Sequence, residues 1–306
     1  MNERTITPRD DEWPDLLDEL GPLAKPSRLH LQGRELPDQP LFAVVGARRP
    51  TIAGLDAARS LTQGLVEAGF GIVSGLAAGI DAAAHESALA CGGYTAAVLG
   101  FGLDVDYPRR NARLKRAVAE RGTLVTEYPE GTAPRALHFP QRNRIIAGLA
   151  VATLVVEGGI KSGALITARY ALDANRDVFA VPGSFRNVMA AGSNELIRRS
   201  EAALVTDVAH IFEELASEVH EGPVQLGLEP VRVEVPDDEV RILVLLDDAP
   251  ASPDRICREL GLKVGQVALG LARLEARGLV NRRGPGYEIT TAGARARAGF
   301  VETTSP

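Results

Sequence analysis

From residue 41 onward, short apolar runs alternate with longer amphipathic ones. LFAVVG (41–46), FGIVSG (70–75), YTAAVLG (94–100), TLVTEY (123–128), VATLVVEGG (151–159) and DVFAVPG (177–183) each predict a strand. Between the first two, GLDAARSLTQGLVEAG (54–69) places Leu55, Ala58, Leu61, Leu65 and Ala68 at helical spacing. Further helices are predicted at 79–91, 112–122, 140–150 and 162–176, the second of these closing on Gly122 and the last opening on Ser162 as N-cap. Two more, NELIRRS (194–200) and DVAHIFEEL (207–215), flank a short AALV strand. Strict strand–helix alternation with continuously apolar strands implies an α/β fold, a doubly wound and mostly parallel sheet covered on both faces. The strands end at Gly46, Gly75, Gly100, Glu127, Glu157 and Gly183. In open sheets of this kind, ligands bind outside those carboxyl ends.

The flanks read differently. Residues 1–40 are polar and Pro-rich, with one amphipathic patch, WPDLLDEL, and are expected to be an extension leading into a sheet domain of 41–215. Residues 216–238 carry Pro, Gly and many acids and read as a linker. After them EVRILVLLDD, SPDRICRELG and KVGQVALGLARLEARG predict three short helices, and LVNRRGPGYEIT predicts a hairpin with a Gly-Pro-Gly turn. Helices followed by a hairpin form a winged-helix pattern over 239–300.

Composition narrows the class. In 306 residues, 45% apolar content is ample for a core, and the net charge of −6 argues mildly against a nucleic-acid binder while allowing a local basic groove. Cys91 and Cys257 read as two reduced, buried thiols. The N-terminus MNERTITPRDDEW lacks a signal-peptide core, and no apolar run reaches membrane length, so a soluble cytoplasmic protein is expected, with no membrane contact.

The chemistry-bearing stretches lie where strands end. VVGARRPT (44–51) makes a tight turn at Gly46 and then sets Arg48 and Arg49 where a dinucleotide fingerprint would need small residues. That disfavours NAD or FAD and favours an anion held by arginine. SGLAAGID (74–81) puts Ser74, Gly75 and Gly79 before a helix, a ready cradle for an anion on backbone N–H groups, with Asp81 in the first turn. EGGIKSGALITA (157–168) repeats the design with Lys161, Ser162 and Gly163. A lysine beside a helix N-terminus is repelled by the dipole unless an anion lies between them. YPRRNARLK (107–115) adds Arg109, Arg110 and two further cations.

FPQRNRIIAGL (139–149) opens a predicted helix with Arg142, Asn143 and Arg144, against the usual preference for acids there. A bound polyanion would offset this. The two arginines point to different sides of the helix, so one can meet phosphate while the other braces Glu127 or Glu157. Phe139 offers a ring on which a base can stack. Together these loops gather cations on one edge, which suits a chain of phosphates better than one nucleotide. Catalysis has little support. His85 and His138 stand near loop ends without a nucleophile elbow, and no Cys/His metal cluster is present, so no catalytic residue, metal or cofactor is expected.

VVGARRPT, SGLAAGIDAAAH, YPRRNARL, FPQRNRIIAGL, EGGIKSGALITA and AVPG resemble, in order and spacing, the motifs of the bacterial DprA/Smf family of DNA-processing proteins. The likeness covers about residues 13–215, with WPDLLDEL…LHLQG similar to the family's entry into its sheet domain. The resemblance implies an extended Rossmann-like domain that binds single-stranded DNA without strong sequence preference. It also implies homodimers and loading of the RecA recombinase onto incoming DNA during natural transformation. On the matching positions it implies DNA contacts by Arg48, Arg142, Arg144 and Lys161. No catalytic activity is implied. Residues 1–40 are too short for the N-terminal helical domain that many members carry.

The winged helix leaves its role open between duplex DNA, assistance to single-strand binding and contact with a protein, because its third helix offers only Arg273 and Arg277 and its wing Arg282 and Arg283. Two rival readings differ in class. A nucleoside-monophosphate phosphoribohydrolase would also use a glycine-rich turn near EGG, but EGGIKSGALITA lacks the helix-borne glutamate such an enzyme turns on the ribose. A nucleotide-sensing transcription regulator would bind operator DNA through the winged helix.

Overall fold

The computed structural model describes residues 3–21, 24–218, 237–248, 250–276, 279–283 and 286–290. The chain divides into two compact units, Met1–Val231 and Arg232–Pro306. In the first, strands β1 (Glu3–Ile6) and β2 (Leu29–Gly33) precede the alternating series. That series runs β3 (Leu41–Val45), α1 (Ile52–Glu67), β4 (Gly71–Ser74), α2 (Ile80–Ala90), β5 (Thr95–Leu99), α3 (Ala112–Arg121), β6 (Thr123–Thr126), α4 (His138–Gly148) and β7 (Ala152–Val155). It closes with α5 (Gly163–Asp173), β8 (Asp177–Ala180), α6 (Ala191–Arg198), β9 (Ala203–Leu204) and α7 (Val208–Glu218).

The strands form one sheet in the order β1-β2-β6-β5-β4-β3-β7-β8-β9. From β6 to β9 every neighbouring pair is parallel, and β2 joins β6 antiparallel, as β1 joins β2. The chain builds outward from β3 to β6, then returns through α4 and builds the other way from β7. The order therefore reverses between β3 and β7, the place where open α/β sheets bind their ligands.

The sheet reaches back into residues expected to be only a lead-in. LHLQG (29–33) is too short and too isolated to announce itself by alternation, yet Leu29 and Leu31 are fully buried beside Leu17. One face of the sheet packs on this N-terminal segment with α4 and α5, through Leu17, Ile145, Ile146 and Ala168. The other packs on α1, α2 and α7, through Leu61, Leu65, Ala84 and Ile211. Phe42 lies in that second core, with ring centroids of Phe70 and Phe179 at 5.6 and 5.9 Å.

The thiol expectation is corrected: Cys91, just past α2, is exposed, and Cys257 is half-buried, both free. No described helix is long and apolar enough to cross a membrane.

The second unit has three helices, α8 (Asp237–Asp248), α9 (Pro253–Leu260) and α10 (Val264–Ala276), then the hairpin β10 (Val280–Arg283) and β11 (Gly286–Ile289). Its own core is built on Ile242, Leu246, Ile256, Val267, Leu271 and Leu274. Ser252 caps α9 through Arg255 N–H, and Gly261 ends it in the left-handed conformation. The expected linker lies outside the described residues except at its ends, which belong to α7 and α8, and so do Arg277 and the first two residues of the Gly-Pro-Gly turn.

Candidate functional site

At the reversal point, the loops after β3, β4, β5 and β7 surround a cleft of about 390 Å³. Arg48, Asp81, Tyr107, Phe139, Arg142 and Gly163 line it. The Arg48 guanidinium lies 5.3 Å from the Phe139 ring centroid, within cation–π range. Tyr107 sits 5.6 Å from the same ring. A smaller recess of about 70 Å³ shares Arg48, Tyr107 and Phe139 and adds Arg110. The motifs after β3 and β5 thus meet the helix that leads into β7.

In the R-N-R stretch one arginine takes the expected bracing part, on Glu127, and the other is more deeply held than its sequence suggests. Helix α4 begins at His138, two residues before the predicted start, so Arg142 and Arg144 stand in its second turn, clear of the N-terminal dipole. Arg142 is 4% exposed. Its Nη1 donates to Gly75 O at 2.7 Å and also to Val98 O, and its Nε donates to Asn143 Oδ1 at 3.0 Å. Asn143, also buried, passes the link on by donating from Nδ2 to Gly163 O at 3.0 Å. Arg144 pairs with Glu127 at the end of β6. These three side chains brace the groove: they tie the ends of β4, β5 and β6 to the start of α5. Burial pushes the Arg142 guanidinium down to about 10, with the Asp81 carboxylate opposing, so it keeps its charge at neutral pH. Gly75 is obligatory here because a Cβ would enter the Arg142 guanidinium.

The glycine turn after β4 is also filled by the chain itself. Ser74 is fully buried and donates to Val44 O at 2.6 Å. Gly79 adopts φ 88°, which brings it against Ala47 O, and Ile80 N–H donates to that same carbonyl at 3.1 Å. Ala77 N–H donates to Asp81 Oδ2 at 3.3 Å. The expected anion cradle of Ser74, Gly75 and Gly79 is therefore occupied, and the turn locks the β3 loop that carries Arg48. Burial raises the Asp81 carboxyl, opposed by Arg142 and Arg48. Behind it the fully buried His85 is pushed down to about 3 by burial and by Arg142, and its Nδ1 shares a 2.7 Å hydrogen bond with Thr95.

The turn after β7 keeps its cation free. Ser162 caps α5, its Oγ accepting from Ala164 N–H at 3.3 Å, and Lys161 and Gly163 are exposed. Glu157 is a satisfied structural carboxylate: it accepts from Thr51 N–H at 2.9 Å and Thr51 Oγ at 2.7 Å, and from Asn187 Nδ2 at 3.3 Å. It clamps the loop after β3, with its half-buried Gly46, to the loops after β7 and β8. Arg48, Arg49, Arg109, Arg110 and Lys161 are all exposed, and none has an ion-pair partner among the described residues. Lys115, expected among the cations after β5, is instead buried and donates to Leu103 O and Val105 O at 2.6 and 2.7 Å.

Two features escape the sequence. Tyr107 sits in YPRRN, where the arginines draw attention first. Exposed large apolar residues are equally telling. In the first unit eight such residues are exposed among the described ones, and six of them stand past strand carboxyl ends: Ile52, Tyr107, Leu137, Ile160, Phe185 and Val188. Each belongs to a stretch that looks like an ordinary loop, and only the sheet order brings the six to one edge. Among the described residues no group of His, Cys, Asp and Glu is placed to hold a metal ion.

Comparison with known proteins identifies relatives of both units. Residues 4–216 match the model of DNA recombination-mediator protein A, and residues 228–286 match that of the DprA winged helix domain. Protein Smf of Synechocystis is 38% identical over 92% of this chain and 78% of its own length. The putative DNA processing protein DprA of Mycobacterium tuberculosis is 38% identical over 95% and 78%. The crystal structure of DprA from Streptococcus pneumoniae superposes with a TM-score of 0.66 at 42% identity, covering 69% of this chain and 74% of that one. DNA processing protein A from Helicobacter pylori, described for its single-stranded DNA binding mode, superposes with a TM-score of 0.64 at 27% identity, over 71% and 97%. With a family match over most of its first unit and relatives that align along nearly its whole length, the chain belongs to the DNA recombination-mediator protein A family, the DprA/Smf proteins.

Proposed function

We propose that this protein binds single-stranded DNA along the carboxyl edge of its parallel sheet, in the cytoplasm, and as a homodimer delivers it to the RecA recombinase during natural transformation. Its role is binding and hand-over, with no bond made or broken. The single-stranded DNA binding named for the Helicobacter relative supports the ligand class. One observation in this chain carries it further. Along one edge, exposed cations without acidic partners (Arg48, Arg49, Arg110, Lys161) are interleaved with exposed apolar side chains. Phosphates alone would call for the cations. The apolar side chains suit bases that are not hidden in a duplex, since any base offers a face for stacking. Arg48 over Phe139 combines both functions in one pair.

In this reading Arg142, Asn143 and Arg144 shape the groove, and Arg48, Arg110 and Lys161 meet phosphate. The test is the fluorescence anisotropy of labelled oligo-dT. Arg48→Ala and Lys161→Ala are each expected to weaken binding roughly 10-fold at moderate salt. Affinities equal to the wild type would overturn the reading. For delivery, RecA filament growth on DNA coated with single-strand-binding protein should be accelerated by the wild type and not by the double variant.

A further inference from the structure

The loop between β8 and α6 carries GSFRNV (183–188), which no motif so far has absorbed. Phe185 is 88% exposed and Val188 76%, although the first unit has ample core to bury them. Looseness does not explain this. The loop is held by Asn187 N–H to Ser184 O at 2.8 Å, Ala190 N–H to Asn187 O at 3.0 Å and Met189 N–H to Asn187 Oδ1 at 2.9 Å. Asn187 also bonds to Glu157, the residue that anchors the Arg48 loop, and Gly192 N–H donates to Gly158 O at 2.7 Å. A well-fastened loop thus presents an aromatic ring to solvent. The Arg186 guanidinium lies 5.4 Å from that ring's centroid, with no ion-pair partner among the described residues.

This pair repeats the Arg48–Phe139 arrangement at the cleft. It also lies in line with it. β8 follows β7, which follows β3, so the β8 loop stands about 5 Å per strand beyond the loops bearing Lys161 and Arg48. Ile160, exposed beside Lys161, lies on the same edge between them. The two ends of the edge therefore have the same chemistry, an aromatic face with an unpaired cation on it, and the middle has Lys161.

We propose that Phe185 and Arg186 form a second stacking station for single-stranded nucleic acid, at the far end of a path that starts at Tyr107 and Arg110. One base stacks on the Phe185 ring while Arg186 meets the adjoining phosphate. This rests on the single-strand reading above and adds its direction across the sheet and its outer limit. A short oligonucleotide fills only the cleft, and a longer one reaches both stations.

The test compares oligo-dT of about 3 and about 20 nucleotides, since about 6 would already span the four strand spacings between the stations. Phe185→Ala and Arg186→Ala are each expected to weaken the long oligonucleotide roughly 10-fold and leave the short one unchanged, so that the affinity gained with length disappears. Phe185→Trp adds a direct readout. The chain has a single Trp, Trp13, which is buried, so new emission from position 185 should be quenched by the long oligonucleotide and not by the short. Wild type that binds neither length contradicts the single-strand reading itself. Wild type that binds both, with Phe185→Ala and Arg186→Ala indistinguishable from it, overturns this proposal alone. So does a change in sedimentation without any loss of oligonucleotide affinity, which would assign the loop to a protein contact. Since Phe185 is almost wholly exposed, its replacement leaves the fold intact.

Discussion

Two regions of this chain have the makings of a nucleic-acid surface, and they differ in where their cations are spent. The carboxyl edge of the sheet belongs to a fold that often holds small ligands, yet it leaves Arg48, Arg49, Arg110 and Lys161 exposed and unpaired, among exposed aromatic and aliphatic side chains. The winged helix belongs to a class that often reads duplex DNA, yet the outer face of α10 carries Val264, Ala268, Leu269 and Ala272. The arginine on that helix, Arg273, turns to the buried Glu239 at 3.5 Å. Arg255 is likewise paired with Glu259, and Arg241 with Asp238, while Arg258, Lys263 and Arg282 are exposed without an ion-pair partner among the described residues. Fold type alone would have assigned these surfaces the other way round. A helix that enters the major groove must offer hydrogen-bonding side chains to base edges, and α10 offers mostly methyl groups. The comparison teaches that free cations interleaved with exposed stacking side chains, rather than fold type, mark the surface proposed to meet phosphate.

The same distinction runs inside the sheet edge, between the arginines proposed to touch ligand and the arginines that hold the groove. The largest expected effect separates them. Arg142→Ala leaves the Gly75 and Val98 carbonyls without their donor and Asp81 without its cation, and should cost about 3 kcal/mol of stability in a urea titration. Arg48→Ala should leave the urea midpoint in place while weakening DNA binding. If Arg142→Ala kept full stability and lost only affinity, Arg142 would be a contact and the division would fail.

Next in size is an acid sensitivity confined to the sheet domain. His85 is neutral in the folded protein, its value pushed down to about 3 from an ordinary 6.5. Its contribution is therefore present above 6.5 and is lost as pH falls toward 3, because the unfolded chain takes up a proton that the folded one refuses. By about pH 5 the loss is ~2 kcal/mol. His85→Gln should flatten that part of the stability profile, followed by circular dichroism at several pH values. An unchanged slope would show that His85 is not the group responsible.

Smaller effects concern the phosphate contacts and the wing. Lys161→Ala should lower the slope of log affinity against log salt by about 0.7, the share of one phosphate contact on a single strand. Arg282→Ala, on the wing strand β10, should leave oligo-dT affinity within about twofold. A larger loss there than at Lys161 would reverse the ranking of the two regions.

Much of the frame was legible in the sequence. The six strands from LFAVVG to DVFAVPG fall where the apolar runs are, because a strand buried on both faces admits no polar alternation. β1 and β2 were not legible, since strands of four or five residues at one end of the sheet gain their burial from partners distant in the chain. Among the candidate site residues, Arg48, Lys161 and Phe139 stand out by local chemistry: a charge at a turn or helix start needs a reason. The same logic set Arg142 and Arg144 in the first turn of α4, where they do not stand. Two residues of helix start moved them out of the dipole, and the carbonyls that claim Arg142 come from β4's end and β5, far away in sequence. Phe185 and Arg186 carried no local signal, because exposure of an aromatic ring is a property of packing and cannot be seen in GSFRNV.

The most direct test of the central claim is a salt series of binding to oligo-dT and to a duplex of the same length. Free cations interleaved with stacking surfaces predict tight single-strand binding with a steep salt slope, a residual affinity at high salt from stacking, and a clear preference over duplex. Equal or tighter binding of the duplex, or single-strand binding that vanishes entirely as salt rises, would contradict it.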